Sequence, residues 1–170
     1  MSDFVGVNGF TWDLEITNAQ GEQVERESNK NLIPAQGMAF LVRSPFGDVE
    51  PVSSFYLGLF RGNYVPSAGT TAADIPSNMI EFIDYSEDAR PLWERRFDDE
   101  SSMDNNIKKA SFTVTQDRTI YGAFLVSQAT KGGNSGLLLS CVRFSSPKTV
   151  SAGQTINLSG GLTYISTNII

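Results

Sequence analysis

The chain has 170 residues and a net charge of −6, with no histidine and a single cysteine, so it has the length of one domain and lacks several kinds of chemistry. The acidic balance disfavours nucleic-acid binding, which draws on dense Lys and Arg to displace phosphate counterions, and no basic amphipathic run suits an anionic membrane surface. Without histidine there is no Ser-His-Asp or Cys-His nucleophile and no His-containing metal site, while Cys141 alone permits neither an internal disulfide nor a thiolate zinc site.

In chain order, residues 1–9 carry neither the positive nor the apolar region of a secretory signal and read as an N-terminal arm ahead of a single domain over 10–170. Phe10–Thr17 alternates Phe10, Trp12, Leu14 and Ile16 with polar residues, the period-2 mark of a half-buried strand. Asn18–Gly21 reads as a turn and Glu22–Ser28 as the returning strand of a hairpin. Pro34 suits the first turn of a helix, and Ala35–Val42 is rich in helix formers, so one short helix is expected near residues 34–43, ended before Pro45. Gly37 weakens that helix on propensity. Ser54–Phe60 is a second strand, apolar enough on both faces to be covered on both.

Arg61–Pro76 is a long polar connection, read as an interaction element because long loops in compact domains seldom serve as filler. Asn78–Tyr85 suits a helical turn or a strand. Pro91–Phe97 is expected as a strand and Asp98–Asn106 as an acidic loop. Ala110–Thr115 and Thr119–Gln128 flank Gln116-Asp117-Arg118 as a predicted hairpin. Ala129–Gly136 connects to the strand Leu137–Phe144, with Lys131–Gly136 expected as a disordered tip. Ser145–Gly153 is expected as a loop, and Thr155–Thr167 as one or two final strands. No apolar run approaches the roughly 18–20 residues of a membrane span. Short strands at this spacing predict an all-β fold, a two-sheet β-sandwich of jelly-roll type, with an immunoglobulin-like sandwich as the alternative.

No nucleotide-binding glycine signature is present, and no catalytic residue, metal ligand or cofactor is assigned. Glu81, Asp84, Glu87 and Asp88 cluster around Tyr85. Paired acids can hydrolyse glycosidic bonds, but a solvated connection is the reading preferred here. Asp98, Asp99, Glu100, Asp104, Asn105 and Asn106 form an oxygen-rich stretch without EF-hand spacing, read as a solvated loop and not a Ca²⁺ site. Trp12, Phe55, Phe112, Phe124 and Phe144 fall at core positions, as does Cys141. Tyr64, Tyr85 and Trp93 lie beside polar residues or loops, where an exposed ring can anchor a partner or stack on a sugar.

Several segments resemble tailed-phage virion structural proteins when read together. They are Asn31-Leu32-Ile33-Pro34-Ala35-Gln36-Gly37, Phe55–Phe60 with Tyr64 and Thr70–Ala73, Phe82–Tyr85 followed by Arg90-Pro91-Leu92, Tyr121–Leu125 and Val150–Ile156. The nearest class is the jelly-roll capsid decoration, or cement, proteins. The resemblance implies a non-enzymatic protein made in the host cytoplasm and placed on the capsid surface of the virion. Its implied partners are the major capsid protein and further copies of itself as a dimer or trimer, with no nucleic acid or membrane. Candidate contact residues are Phe4 and Val5 in the arm, Tyr64 and Pro66 in the long connection, Tyr85 and Trp93. The alternative implication is a tail-associated receptor or carbohydrate binder with Tyr64, Tyr85 and Trp93 lining a sugar site.

Overall fold

In the computed structural model, which describes residues 9–31, 33–97 and 102–163, the first alternating segment is the strand β1 (Gly9–Thr17). Phe10, Trp12, Leu14 and Ile16 are buried and the residues between them face outward. Asn18 organises the turn, its side-chain oxygen accepting from the N–H of Gln20 and of Glu22, while Gly21 takes the positive φ that closes it. The chain returns as β2 (Gln23–Asn31), none of whose residues is buried. β2 is an edge strand, and its run of charges guards that edge against pairing with other chains.

The remaining strands are β3 (Tyr56–Phe60), β4 (Glu81–Phe82), β5 (Arg96–Phe97), β6 (Ser102–Asp104), β7 (Ala110–Thr113), β8 (Arg118–Val126), β9 (Leu138–Val150) and β10 (Thr155–Thr163). They make a six-stranded antiparallel sheet in the order β2-β1-β10-β6-β5, with β7 also on β10, and a four-stranded one in the order β4-β3-β8-β9. This is the two-sheet sandwich that the strand spacing predicts. β1 runs along all of β10, with Gly9 opposite Thr163 and Thr17 opposite Thr155. On the other side of β10, β7 and β6 lie end to end. Asn105 plugs the gap between them. It is buried, its amide donates to the carbonyls of Leu158 and Lys108, and its oxygen accepts from the Gly160 N–H at 2.8 Å. A side chain thus continues the ladder where no strand backbone is available.

Between the sheets the core joins Phe10, Trp12, Leu14, Phe112 and Leu158 to Leu57, Leu59, Phe82, Leu125 and Val142. The indole of Trp12 donates across the sandwich to Ser140, and that of Trp93 to the Gly160 carbonyl. The helix α1 (Ala35–Arg43) follows Pro34, and Pro45 sits in the 3-10 turn Ser44–Phe46 that ends it. Gly37, unfavourable on propensity, is required by packing. A Cβ there would stand 2.3 Å from the Leu139 carbonyl oxygen, so α1 lies directly against the backbone of β9. Gln36 supports that contact by accepting the Leu138 N–H.

Several expectations are corrected. Ser145–Val150 is not a loop but the second half of β9. Ile120 pairs with Lys148 and Gly122 with Arg143, so Phe144–Pro147 bulges opposite the single residue Tyr121 and houses a proline that cannot join the ladder. The segment Gln116–Arg118 is not a hairpin tip, because β7 belongs to the six-stranded sheet and β8 to the other. A hairpin and a crossing between sheets leave the same local pattern of short apolar runs around a polar turn. Within Pro91–Phe97 only Arg96–Phe97 is a strand. Pro91 and Trp93 bond β3 and its flank through Leu57 and Phe55, and then the chain turns away. Thr155–Thr163 is one strand.

The connection after β3 is not a free element. Phe60, Phe124, Val126, Leu138 and Cys141 on the outer face of the four-stranded sheet are buried together with Ala72, Ile75 and Met79. Ile75 and Met79 each contribute about 1.5–3 kcal/mol when fully buried, so residues 61–80 are held by a second core. A one-turn π-helical segment, Ile75–Met79, carries both side chains. Ile80 then takes a left-handed φ of 53°, unfavourable for a β-branched residue, as the chain turns into β4.

Candidate functional site

Most of the acidic cluster around Tyr85 is built into the fold: Glu81 is buried and Asp84 and Glu87 are half-buried, while Asp88 is exposed. Glu81 and Arg90 are both buried and form a bidentate pair, with Nε to Oε1 and Nη2 to Oε2 each at 2.7 Å. Arg90 also donates to the carbonyls of Gln128 and Gly133, and its guanidinium lies 5.2 Å from the centre of the Phe124 ring. The second oxygen of Glu81 accepts the Gly132 N–H as well. Asp84 pairs with Arg118 at 2.7 Å, and Glu87 accepts from the Thr113 N–H and hydroxyl.

This network ties down the segment expected as a disordered tip. Lys131 donates to the Tyr85 carbonyl and sits 3.8 Å from the centre of the Tyr85 ring, while Gln128 and Ser135 bond each other twice. Three of the four acids therefore hold backbone or arginine partners. Their chemistry in this arrangement is the fastening of loops, onto the four-stranded sheet for Glu81 and Asp84 and onto β7 of the other sheet for Glu87.

The candidate contact residues disperse. Tyr85 is 4% exposed and Trp93 2%, so neither ring offers a surface, which corrects the exposure expected of both. Tyr85 stacks edge-on against Phe112, and Trp93 packs against Phe10 and Phe55. Sequence neighbours misled here, because polar flanks belong to loops while the rings between them turn inward. Burial pushes the Tyr85 phenol above its ordinary pKa, and the Glu81 charge adds to that; its hydroxyl has no hydrogen-bond partner. Tyr64 is half-buried against the second core and bonds Thr70 through its hydroxyl at 2.9 Å, and Pro66 is partly exposed beside it. Phe4 and Val5 lie outside the described residues. Cys141 is buried, and burial pushes its thiol up to about 12, as an unreactive core position requires.

Two surface features stand out instead. On α1 and the turn after it, Met38, Val42 and Phe46 follow one another at intervals of four and stay exposed, Val42 by 60% and Phe46 by 85%. The opposite side of the helix packs Gly37, Phe40 and Leu41 inward. The sequence signal was an excess of apolar positions between Met38 and Phe46, more than one buried stripe can use. Beside the helix an apolar hollow of about 210 Å³ is lined by Phe40, Leu41, Val52, Phe55 and Met103.

The second feature is polar, on the outer face of the six-stranded sheet. Asp13 accepts Arg26 through two bonds of 3.1 Å and the Ser28 hydroxyl at 2.8 Å, with Lys109 at 3.6 Å. Burial pushes the Asp13 carboxyl up, but the bonds from Arg26 and Ser28 and the two positive charges outweigh it and hold it below the ordinary value.

Among the described residues no group of three or more His, Cys, Asp and Glu is placed to hold a metal ion. In the oxygen-rich stretch Asn105 is the ladder plug, and Asp104 accepts the N–H and amide of Asn106; Asp98, Asp99 and Glu100 lie outside the described residues. Among the described residues no helix is long and apolar enough to cross a membrane. Comparison with protein families and with curated proteins finds no match to this chain.

Proposed function

We propose that the chain is a structural protein of a tailed-phage virion, a capsid decoration protein that docks on the major capsid protein and acts as a homo-oligomer, dimer or trimer, at the capsid surface. The observation that carries this reading is the exposed apolar row Met38, Val42 and Phe46 on α1 and the turn after it. Isolated exposed apolar residues are ordinary, but three of them in a row on one helix and its turn have the make-up of an interface centre. The charge of −6 and the guarded β2 edge fit a protein that must stay dispersed until it meets its lattice. The carbohydrate reading based on Tyr64, Tyr85 and Trp93 has lost two of its three rings to the core.

The test is incubation with expanded, undecorated phage capsids followed by sedimentation. Stoichiometric co-sedimentation is expected, and Phe46→Asp should weaken it at least ten-fold while leaving the thermal midpoint unchanged, since Phe46 is almost wholly exposed. Absence of binding by the wild-type chain overturns the reading.

A further inference from the structure

The polar face of the six-stranded sheet is shaped as well as charged. It carries a groove of about 490 Å³, within the range of small-molecule sites. Its floor is Thr11 and Asp13 of β1 with Ser159 and Gly161 of β10, which pair across the two strands at outward positions. Arg26, Ser28 and Lys30 of β2 form one wall, and Asp104, Asn106 and Lys109 the other. Gly161 keeps the floor low, since a Cβ there would come within 2.9 Å of the Asp104 Cβ.

Ser159 is the unexplained member. It is 1% exposed, lines the groove, and its hydroxyl is buried without a hydrogen-bond partner. Native proteins keep few such groups, and one beside a polar groove points to a ligand that supplies the missing bond. Lys30 likewise makes no ion pair among the described residues, whereas Arg26 is engaged with Asp13 and Lys109 with Glu15 and Asp13.

We propose that this groove binds a saccharide, with Ser159, Asn106 and Asp13 meeting ring hydroxyls and Lys30 placed for an acidic substituent. The floor and walls alternate acceptors, donors and groups that do both. A sugar hydroxyl, which donates and accepts at once and is neutral, matches such a set, whereas a phosphate is anionic and would be repelled by the carboxylates of Asp13 and Asp104. Among the described residues no exposed apolar side chain lines the groove to anchor a lipid or an apolar peptide residue. The groove is open to solvent along the sheet, which suits one residue of a longer glycan. This inference does not rest on the capsid reading, because the groove and the α1 row involve different residues.

The experiment is a screen of the purified chain on an array of defined neutral and acidic oligosaccharides, followed by calorimetric titration of the bound members, with inorganic phosphate as the comparison. Binding of a subset of oligosaccharides, and none of phosphate, is expected. Ser159→Ala removes a hydroxyl that bonds nothing in the fold, so its thermal midpoint should be unchanged or higher while its affinity falls about ten-fold, the loss expected for roughly one hydrogen bond. Lys30→Ala should weaken acidic members more than neutral ones. No oligosaccharide bound at about 1 mM, preference for phosphate, or full affinity in Ser159→Ala would each overturn the proposal.

Discussion

The two sheets of this sandwich solve the same problem in opposite ways. The four-stranded sheet is covered on both faces, by the common core within and by residues 61–80 and the Arg90 knot without. The six-stranded sheet is buried on one face only, and its other face carries the polar groove. Their sequences register the difference. β3 has four buried residues in five, whereas β1 alternates strictly. A sheet covered on both sides is closed to ligands, and a one-sided sheet keeps a rigid surface on which side chains can be arranged for binding. The outer loops of the first are structure, and the outer face of the second is available for recognition.

The largest expected effect tests the closed side. Arg90→Ala leaves Glu81 as an uncompensated buried charge and frees the Gln128 and Gly133 carbonyls, so it should cost about 3–5 kcal/mol in urea unfolding. Pairing Arg90→Met with Glu81→Leu should recover the part of that loss due to the stranded charge, while the Gln128 and Gly133 carbonyls and the Gly132 N–H stay unpaired. If Arg90→Ala alone is neutral, the outer covering of the four-stranded sheet does not contribute to its stability.

An intermediate effect lies at the seam between the sheets. Lys148 of β9 is nearly buried and pairs with Glu25 and Glu27 of β2, at 2.7 and 2.5 Å. Burial pushes the Glu27 carboxyl up, but bonds from Lys148, Asn29 and the Ser145 N–H outweigh it and hold it at about 2, against an ordinary value of 4.5. A carboxyl depressed in the folded state contributes stability that is full above the unfolded pKa and is lost as pH falls through the folded one. The stability difference between wild type and Glu27→Gln should therefore be constant above about pH 5 and shrink between 4.5 and about 2. Urea midpoints measured across that range check it, and a difference independent of pH would remove Glu27 from the seam.

The smallest effect belongs to the open face. Ser111 bonds Asn157 at 2.8 Å in full view of solvent, so Ser111→Ala should change stability by no more than about 0.5 kcal/mol. A larger loss would mean that the polar face is held together by its own bonds and is not simply displayed by the core beneath.

How much of this was legible in the sequence depended on the range of the interaction. β1, α1 and β3 could be read because their periodicity is set by a single face of a single element. The continuation of β9 through Ser145–Val150 could not, because its polar residues and Pro147 are tolerated only by a bulge opposite Tyr121. Nor could the inward turn of Tyr85 and Trp93, which their polar neighbours masked. The groove on the six-stranded sheet joins β1, β2, β10 and the β6–β7 connection, and no spacing along the chain brings Thr11, Lys30, Asn106 and Ser159 together.

By itself the sequence determined the strand-rich class, the place of α1, and the lack of histidine and thiol pairs that bars particular mechanisms. Those are properties of composition and of periods of two and four residues. Only the tertiary structure decided which glutamate is buried on Arg90, which glycine admits a helix to a strand's backbone, and which serine is left without a partner. Burial and hydrogen bonding depend on what arrives from elsewhere in the chain. For Glu81 and Gly37 the deciding neighbours come from 9 and 102 positions away, in Arg90 and Leu139.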